Sequence, residues 1–167
     1  MITETWYVDG PVFQSSITDL EAGHGLGAVC HNRKDKSEQN TGGGVALIFR
    51  KVKVAFKPYP IKRNGCELLA VKGKLADCSK HLFVIAAYIP PGLRRNQLNR
   101  YRESIDTALI KIKLEEKKPR IIFCGNINNY DLDPVFEDHL DFKQDPSPPT
   151  RGTERLDLIY TNFTDRC

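Results

Sequence analysis

The order of two hydrophobic periodicities constrains the fold of this chain more than any other feature. Strand-sized apolar runs occur at residues 45–49 and 81–88. Apolar residues then recur three or four positions apart through residues 97–116, which is the spacing of a helix buried on one face. Shorter apolar runs return at residues 121–124 and 156–160. Strands, one long helix and further strands predict an α/β sandwich of mixed, mostly antiparallel sheets flanked by helices.

Residues 9–44 differ from the rest of the chain because they are rich in glycine and polar residues and contain only short apolar pieces. We expect a long connection there, ending at the glycines of residues 42–44. No Gly-Lys-Ser or Gly-Lys-Thr follows these glycines, so a turn with positive φ is preferred over a P-loop.

Composition excludes several classes of protein. Hydrophobic residues make up 40% of the 167 residues and charged residues 28%, as in an ordinary globular domain. No apolar run reaches the roughly 20 residues needed to span a bilayer, and the N-terminus lacks the pattern of a signal peptide. The five cysteines are widely spaced, so we expect neither a disulfide framework nor a zinc site. Membrane and secreted classes are therefore disfavoured.

The net charge of +4 is compatible with a polyanionic partner but does not require one. Basic residues cluster at 50–62, 94–102 and 111–120. A solvated surface explains such clusters as well as a nucleic-acid interface does.

Polar residues at the expected strand ends are the candidates for chemistry: Glu4, Tyr88, Asn126, Asn128 and Asp157. An acid in the apolar setting of Glu4 is costly unless a partner neutralises it, and a hard cation such as Mg²⁺ would do so. Asn126 and Asn128 would project to the same side if the extended backbone continues. Simple caps, ion pairs and an Asx-turn at the asparagines are the alternatives.

Five segments together resemble a known family: Ile-Thr-Glu-Thr-Trp at 2–6, the triple glycine at 42–44, Ala-Tyr-Ile-Pro-Pro at 87–91, Gly-Asn-Ile-Asn at 125–128, and Thr-Arg-Gly at 150–152 with Leu-Asp-Leu-Ile at 156–159. Their order resembles the endonuclease/exonuclease/phosphatase superfamily, and specifically the endonuclease domain of non-LTR retrotransposons. The resemblance covers almost the whole chain and implies the two-sheet sandwich of that superfamily.

The resemblance also implies a role for each residue. Glu4 matches the metal-binding glutamate, and Tyr88 matches the tyrosine that contacts the scissile phosphate. Asn128 matches the asparagine that orients phosphate and water. Asp157 matches the aspartate that orients the catalytic histidine, as in other base–orienter pairs.

The implied activity is nicking of double-stranded DNA with Mg²⁺ or Mn²⁺, in a polypeptide that also carries a reverse transcriptase domain and acts in the nucleus. Arg94, Arg95 and Arg151 are the candidate contacts to DNA phosphates, which position a duplex without reading its sequence.

The chain also departs from the family pattern. Asn126 stands where the family has the aspartate that activates water, and losing a general base costs about 10²–10⁴-fold in rate. The family's first strand and its C-terminal Ser-Asp-His segment have no match, so we expect residues 1–167 to be one incomplete domain. Impaired catalysis follows from these departures. A non-enzymatic remnant or a domesticated DNA- or protein-binding module is the main alternative. A phosphatase or phosphodiesterase of the same superfamily, acting on lipid or inositol head groups, is a third.

Overall fold

The computed structural model describes residues 2–3, 18–19, 22–31, 44–75, 80–139, 141–145 and 148–164. The strands are β1 (Ile2–Thr3), β2 (Leu26–His31), β3 (Val45–Arg50), β4 (Val54–Pro58), β5 (Glu67–Leu75), β6 (His81–Tyr88), β7 (Arg120–Asn126), β8 (Lys143–Gln144) and β9 (Asp157–Thr161), and the helices are α1 (Arg95–Glu115) and α2 (Asp133–Glu137). Within this part of the chain, no helix is long and apolar enough to cross a membrane.

The strands form two sheets. The small sheet has the order β1-β3-β2, and the large sheet has the order β4-β5-β6-β7-β9-β8. Neighbours are antiparallel except β6 and β7, which are parallel. Parallel strands need a crossover connection, and α1 supplies it. The prediction of an α/β fold with mixed, mostly antiparallel sheets is confirmed.

The large sheet is the middle of three layers. Alternate side chains of β5 and β6, such as Leu68 and Phe83, pack with the buried face of α1. The side chains between them, such as Leu69 and Val84, pack against Val45 and the rest of β3 in the small sheet. Because both faces of the large sheet are covered, β6 is an almost continuous apolar run rather than an alternating one.

The predicted helix begins two residues earlier than its periodicity indicated, and it ends before Pro119, whose ring cannot continue a helix. Cys124 is buried in β7, and burial raises the pKa of its thiol to about 11.

One expectation was wrong. The connection expected across residues 9–44 contains β2, which pairs along its whole length with β3. Its sequence, Leu-Gly-Ala-Val-Cys-His, has few of the residues that favour strands, so the pairing with β3 rather than local preference fixes its conformation.

Candidate active site at the end of the central strands

A row of polar side chains crosses four neighbouring strands at one end of the large sheet. Glu67 is opposite Tyr88, Tyr88 is opposite Asn126, and Asn126 is opposite Asp157. Residues in register share a face of the sheet, and the row faces the small sheet because Tyr88 packs in the core between the two sheets. We call Glu67, Tyr88, Asn126 and Asp157 the polar row. The topology therefore brings together three of the residues predicted from sequence.

The strands end at the polar row for local reasons. After Tyr88, Pro90 and Pro91 cannot donate ladder hydrogen bonds. Before Asn126, a Cβ on Gly125 would lie 2.2 Å from the carbonyl oxygen of Ala87 in β6. Glycine is therefore required for β7 to approach β6 closely enough to place Tyr88 beside Asn126.

The backbone does not stay extended beyond Asn126. Asn128 has φ +46°, and its backbone N–H donates to Asn126 Oδ1 at 3.2 Å, as in an Asx-turn. Asn128 Nδ2 donates to the carbonyl of Ile89 at 2.9 Å, in the loop that follows β6. The two asparagines therefore do not project side by side, as an extended backbone would place them; the turn instead ties the loop after β7 to the loop after β6.

The two asparagines nevertheless each leave one side-chain atom available, a donor on Asn126 and an acceptor on Asn128. Asn126 Nδ2 and Asn128 Oδ1 have no hydrogen-bond partner among the described residues, and both side chains are half-buried. The amide donor of Asn126 is available to a water or a phosphate oxygen, and the amide acceptor of Asn128 is available to a water or a cation.

Asp157 is positioned by the Thr-Arg-Gly segment. Thr150 Oγ1 accepts hydrogen bonds from the backbone N–H groups of Leu156 and Asp157, at 3.0 and 3.3 Å. Arg151 forms a backbone bridge with Glu154 in the same loop. This loop sets where β9 begins, and so places Asp157 opposite Asn126.

The histidine that the family resemblance pairs with Asp157 is not among the described residues. His31 lies against Arg63, His81 against Glu116, and His139 against Asp106. The exposed His24 lies in a short helical segment, and no histidine in the described ranges contacts the half-buried Asp157 carboxylate.

Glu67 is a member of the polar row that the sequence reasoning missed. It is only 6% exposed, and its Oε2 accepts the backbone N–H of Gly44 at the start of β3. Its own N–H donates to the hydroxyl of Tyr101 in α1 at 3.2 Å. The available signal was an acid followed directly by four apolar residues, Leu68 to Val71, since a buried carboxylate is costly without such partners.

The predicted arginines lie at the start of α1 and in the loop before β9. Arg94 and Arg95 begin α1 and are exposed, as is Arg151. The approach to α1 is fixed because Tyr130, after β7, accepts the backbone N–H of Leu93 at 2.6 Å. The three guanidinium groups make no ion pair with the residues that the structure describes, so an anion outside the chain is a suitable partner.

The donor atoms at the polar row are of the type that Mg²⁺ selects. Within the described ranges, no three His, Cys, Asp or Glu residues cluster closely enough to enclose a metal ion. Mg²⁺ usually takes one or two carboxylates and completes its shell with water and phosphate oxygens. The Asp157 carboxylate and the Asn128 amide oxygen fit that requirement. Glu4, the predicted metal ligand, lies outside the described residues.

Comparison with solved structures places this architecture in a known fold. The catalytic domain of human Nocturnin superposes with a TM-score of 0.59 at 15% identity, over 96% of this chain and 67% of that one. An endonuclease/exonuclease/phosphatase family protein from Bacteroides thetaiotaomicron superposes with a TM-score of 0.63 at 13% identity, over 89% of this chain and 64% of that one. The endonuclease domain of TRAS1, a telomere-specific non-LTR retrotransposon, superposes with a TM-score of 0.55 at 14% identity, over 81% of this chain and 64% of that one.

The chain has the endonuclease/exonuclease/phosphatase fold. It spans about two thirds of the length of these structures with that fold. No protein-family model matches the sequence. A sequence search of curated proteins also finds no relative. At such low identity the likeness shows the fold, and the chemistry has to be argued from the polar row.

Proposed function

We propose that this chain is the metal-dependent DNA endonuclease domain of a non-LTR retrotransposon, with a hydrolytic step slowed by Asn126. The observation that carries the proposal is the polar row, which aligns Tyr88, Asn126 and Asp157 in adjacent strands of the endonuclease/exonuclease/phosphatase fold. The superposition on the TRAS1 endonuclease domain supports the same assignment. The proposed substrate is double-stranded DNA, and the full-length protein would join the domain to a reverse transcriptase and act in the nucleus.

In the proposed reaction a water attacks the phosphorus, and the bond to the leaving sugar oxygen breaks. Tyr88 and the second N–H of the Asn128 amide, whose first N–H donates to Ile89, hold the phosphate. Exposed Arg94, Arg95 and Arg151 contact neighbouring phosphates. In the family Asp157 would orient a histidine, but none of the four histidines in the sequence, all of them described, contacts it, so the step written here proceeds without that help. Mg²⁺ or Mn²⁺, held by Glu4 with oxygen donors of the polar row, would neutralise charge on the phosphate.

Asn126 limits the rate in this mechanism. Its amide nitrogen can donate a hydrogen bond to the attacking water, but an amide does not accept a proton near neutral pH. A carboxylate at the same position would act as the base. We therefore expect Asn126→Asp to nick DNA about 10²–10⁴-fold faster than the chain itself.

The test is relaxation of supercoiled plasmid in Mg²⁺, with Glu4→Ala and an EDTA reaction as blanks. Asn126→Asp is expected to relax the plasmid, and the unchanged chain is expected to stay near the blank. Nicking by Asn126→Asp that survives in the Glu4→Ala background would contradict the role of Glu4. Absence of nicking in every variant would contradict the endonuclease proposal.

A non-enzymatic DNA-binding module is the second candidate, favoured by Asn126 and by the absence of a histidine partner for Asp157 within the described ranges. It predicts duplex binding that is insensitive to Asn126→Asp and falls steeply with salt. Each lost phosphate contact would reduce the slope of log K against log salt by about 0.9. Arg94→Gln and Arg95→Gln should each produce that reduction.

A further inference from the structure

A cavity of about 450 Å³ opens beside the polar row, at the same end of the large sheet. The polar row and the cavity share Glu67. The other walls come from the end of β2, the loop before β5, the segment after β6 and the first turns of α1. The mechanism proposed above makes no use of this space, although its size is that of a small-molecule site.

The cavity is lined by basic groups from three separate elements. Arg63 comes from the loop before β5, Arg100 from α1 and His31 from the end of β2. Arg63 Nη1 lies 2.5 Å from His31 Nδ1, and Arg63 Nε is buried without a hydrogen-bond partner in the described part of the chain. The one lining carboxylate, Glu67, accepts the backbone N–H of Gly44. The cavity is therefore lined by two guanidinium groups and one carboxylate, which favours an anion as its occupant.

Arg100 and Cys66 both line the cavity. Burial raises the pKa of the Cys66 thiol, the hydrogen bond from Ser104 and the guanidinium of Arg100 work against that rise, and the carboxylate of Glu103 adds to it. Arg100 is itself exposed and makes no ion pair with a described residue. Its guanidinium can therefore turn to a ligand without breaking an existing contact.

The loop that carries Arg63 is held in place before any ligand binds. Ser104 Oγ donates to the carbonyl of Arg63 at 3.2 Å and accepts from Asn64 Nδ2 at 3.2 Å. The N–H of Cys66 closes the turn on the Arg63 carbonyl at 2.8 Å. A fixed loop loses little conformational entropy on binding, which favours a specific site over a loose basic surface.

We propose that this cavity binds a nucleotide of the substrate strand, with its phosphate between Arg63 and Arg100, next to the phosphate held at the polar row. Pro90, Leu93 and Tyr101 supply an apolar wall for sugar or base, and the amides of Asn64 and Gln97 supply hydrogen-bonding groups. The position of the bound nucleotide along the DNA strand rests on the proposed endonuclease function. The affinity of the cavity for a nucleotide does not rest on that function.

The experiment is a titration with deoxyadenosine monophosphate, in EDTA, followed by amide chemical shifts in ¹⁵N-labelled protein. Shifts are expected at Asn64 and Gly65, and deoxyadenosine without the phosphate should bind at least tenfold more weakly. Arg63→Gln and Arg100→Gln should each lower the affinity for the nucleotide about tenfold, since each removes a charge-assisted hydrogen bond. Arg50→Gln, exposed at the far end of β3, is the matched control and should bind as the unchanged chain does.

Arg63→Gln removes the contact with His31 and can disturb the fold, so exposed Arg100→Gln decides the outcome. Unchanged affinity in Arg100→Gln, or shifts confined to Asn126 and Asn128, would overturn the cavity assignment. Equal affinity for deoxyadenosine would also overturn it. Nucleotide binding that depends on Arg100, together with absence of nicking in every variant including Asn126→Asp, would support the cavity assignment and reject the endonuclease proposal. Nicking of DNA by a chain whose nucleotide binding does not depend on Arg100 would support the endonuclease proposal and reject the cavity assignment.

Discussion

Replacing Gly125 by alanine tests whether the polar row depends on the close approach of β6 and β7. The added Cβ would lie 2.2 Å from the carbonyl oxygen of Ala87, against 3.4 Å or more for an ordinary contact, so the strands would have to separate by more than 1 Å. The obstructing atom belongs to the backbone of the adjacent strand and cannot rotate away. Overpacking of this kind costs about 1–3 kcal/mol, and the rigid obstacle argues for the upper end.

For a chain of this size, 3 kcal/mol corresponds to a fall in Tm of roughly 6–12 °C. Thermal and urea unfolding followed by circular dichroism would measure it. Gly23→Ala is the matched control, since its Cβ meets nothing within 4 Å. Gly73→Ala should be intermediate, because its Cβ meets the ring of Phe56, a side chain that can move. A Tm for Gly125→Ala equal to that of Gly23→Ala would refute the reasoning.

Three further changes test other parts of the structure. Tyr160→Phe removes the hydrogen bond from the buried hydroxyl to Asp133 at 2.6 Å, and urea unfolding should show a loss of about 1–2 kcal/mol; no loss would contradict that bond. Thr150→Val should speed amide exchange at Leu156 and Asp157, whereas Thr150→Ser should not, and equal protection in both variants would contradict the role of the hydroxyl. Burial works to raise the pKa of Glu116, but hydrogen bonds from Lys72 and His81 outweigh it and lower the pKa. Since the folded pKa is the lower one, the stabilisation relative to Glu116→Gln should be complete above the ordinary value of 4.5 and disappear as pH falls through the folded pKa. Urea midpoints of both proteins between pH 3 and 7 would check this, and a constant difference would contradict it.

The strands and the long helix could be predicted because burial leaves a periodic trace in the sequence. The strand at residues 81–88 and the helix stripe were visible for that reason. The sequence of β2 has no such periodic pattern, because its conformation comes from pairing with β3. Local patterns describe what a segment prefers and say little about which partner will hold it.

The candidate site could be predicted only in part for a related reason. Tyr88, Asn126 and Asp157 follow recognisable segments, and their positions at strand ends are confirmed. Their alignment with Glu67 depends on the register of three strand pairings, which no single segment encodes. The turn at Asn128 depends on a carbonyl in another loop, at Ile89. The predicted roles of these side chains remain to be tested.

The polar row also determines when during folding a binding site can first exist. Its members come from β5, β6, β7 and β9, so three strand pairings must form before Glu67 and Asp157 share one row. The non-local pairings among them, β6 with β7 across α1 and β7 with β9, form slowly, because a loop has to close before they contribute any stability. On a ribosome, a nascent chain would have β5, β6 and β7 in place before β9 emerged to add Asp157. Ligand binding at this edge should therefore report completion of the sheet and appear late in refolding.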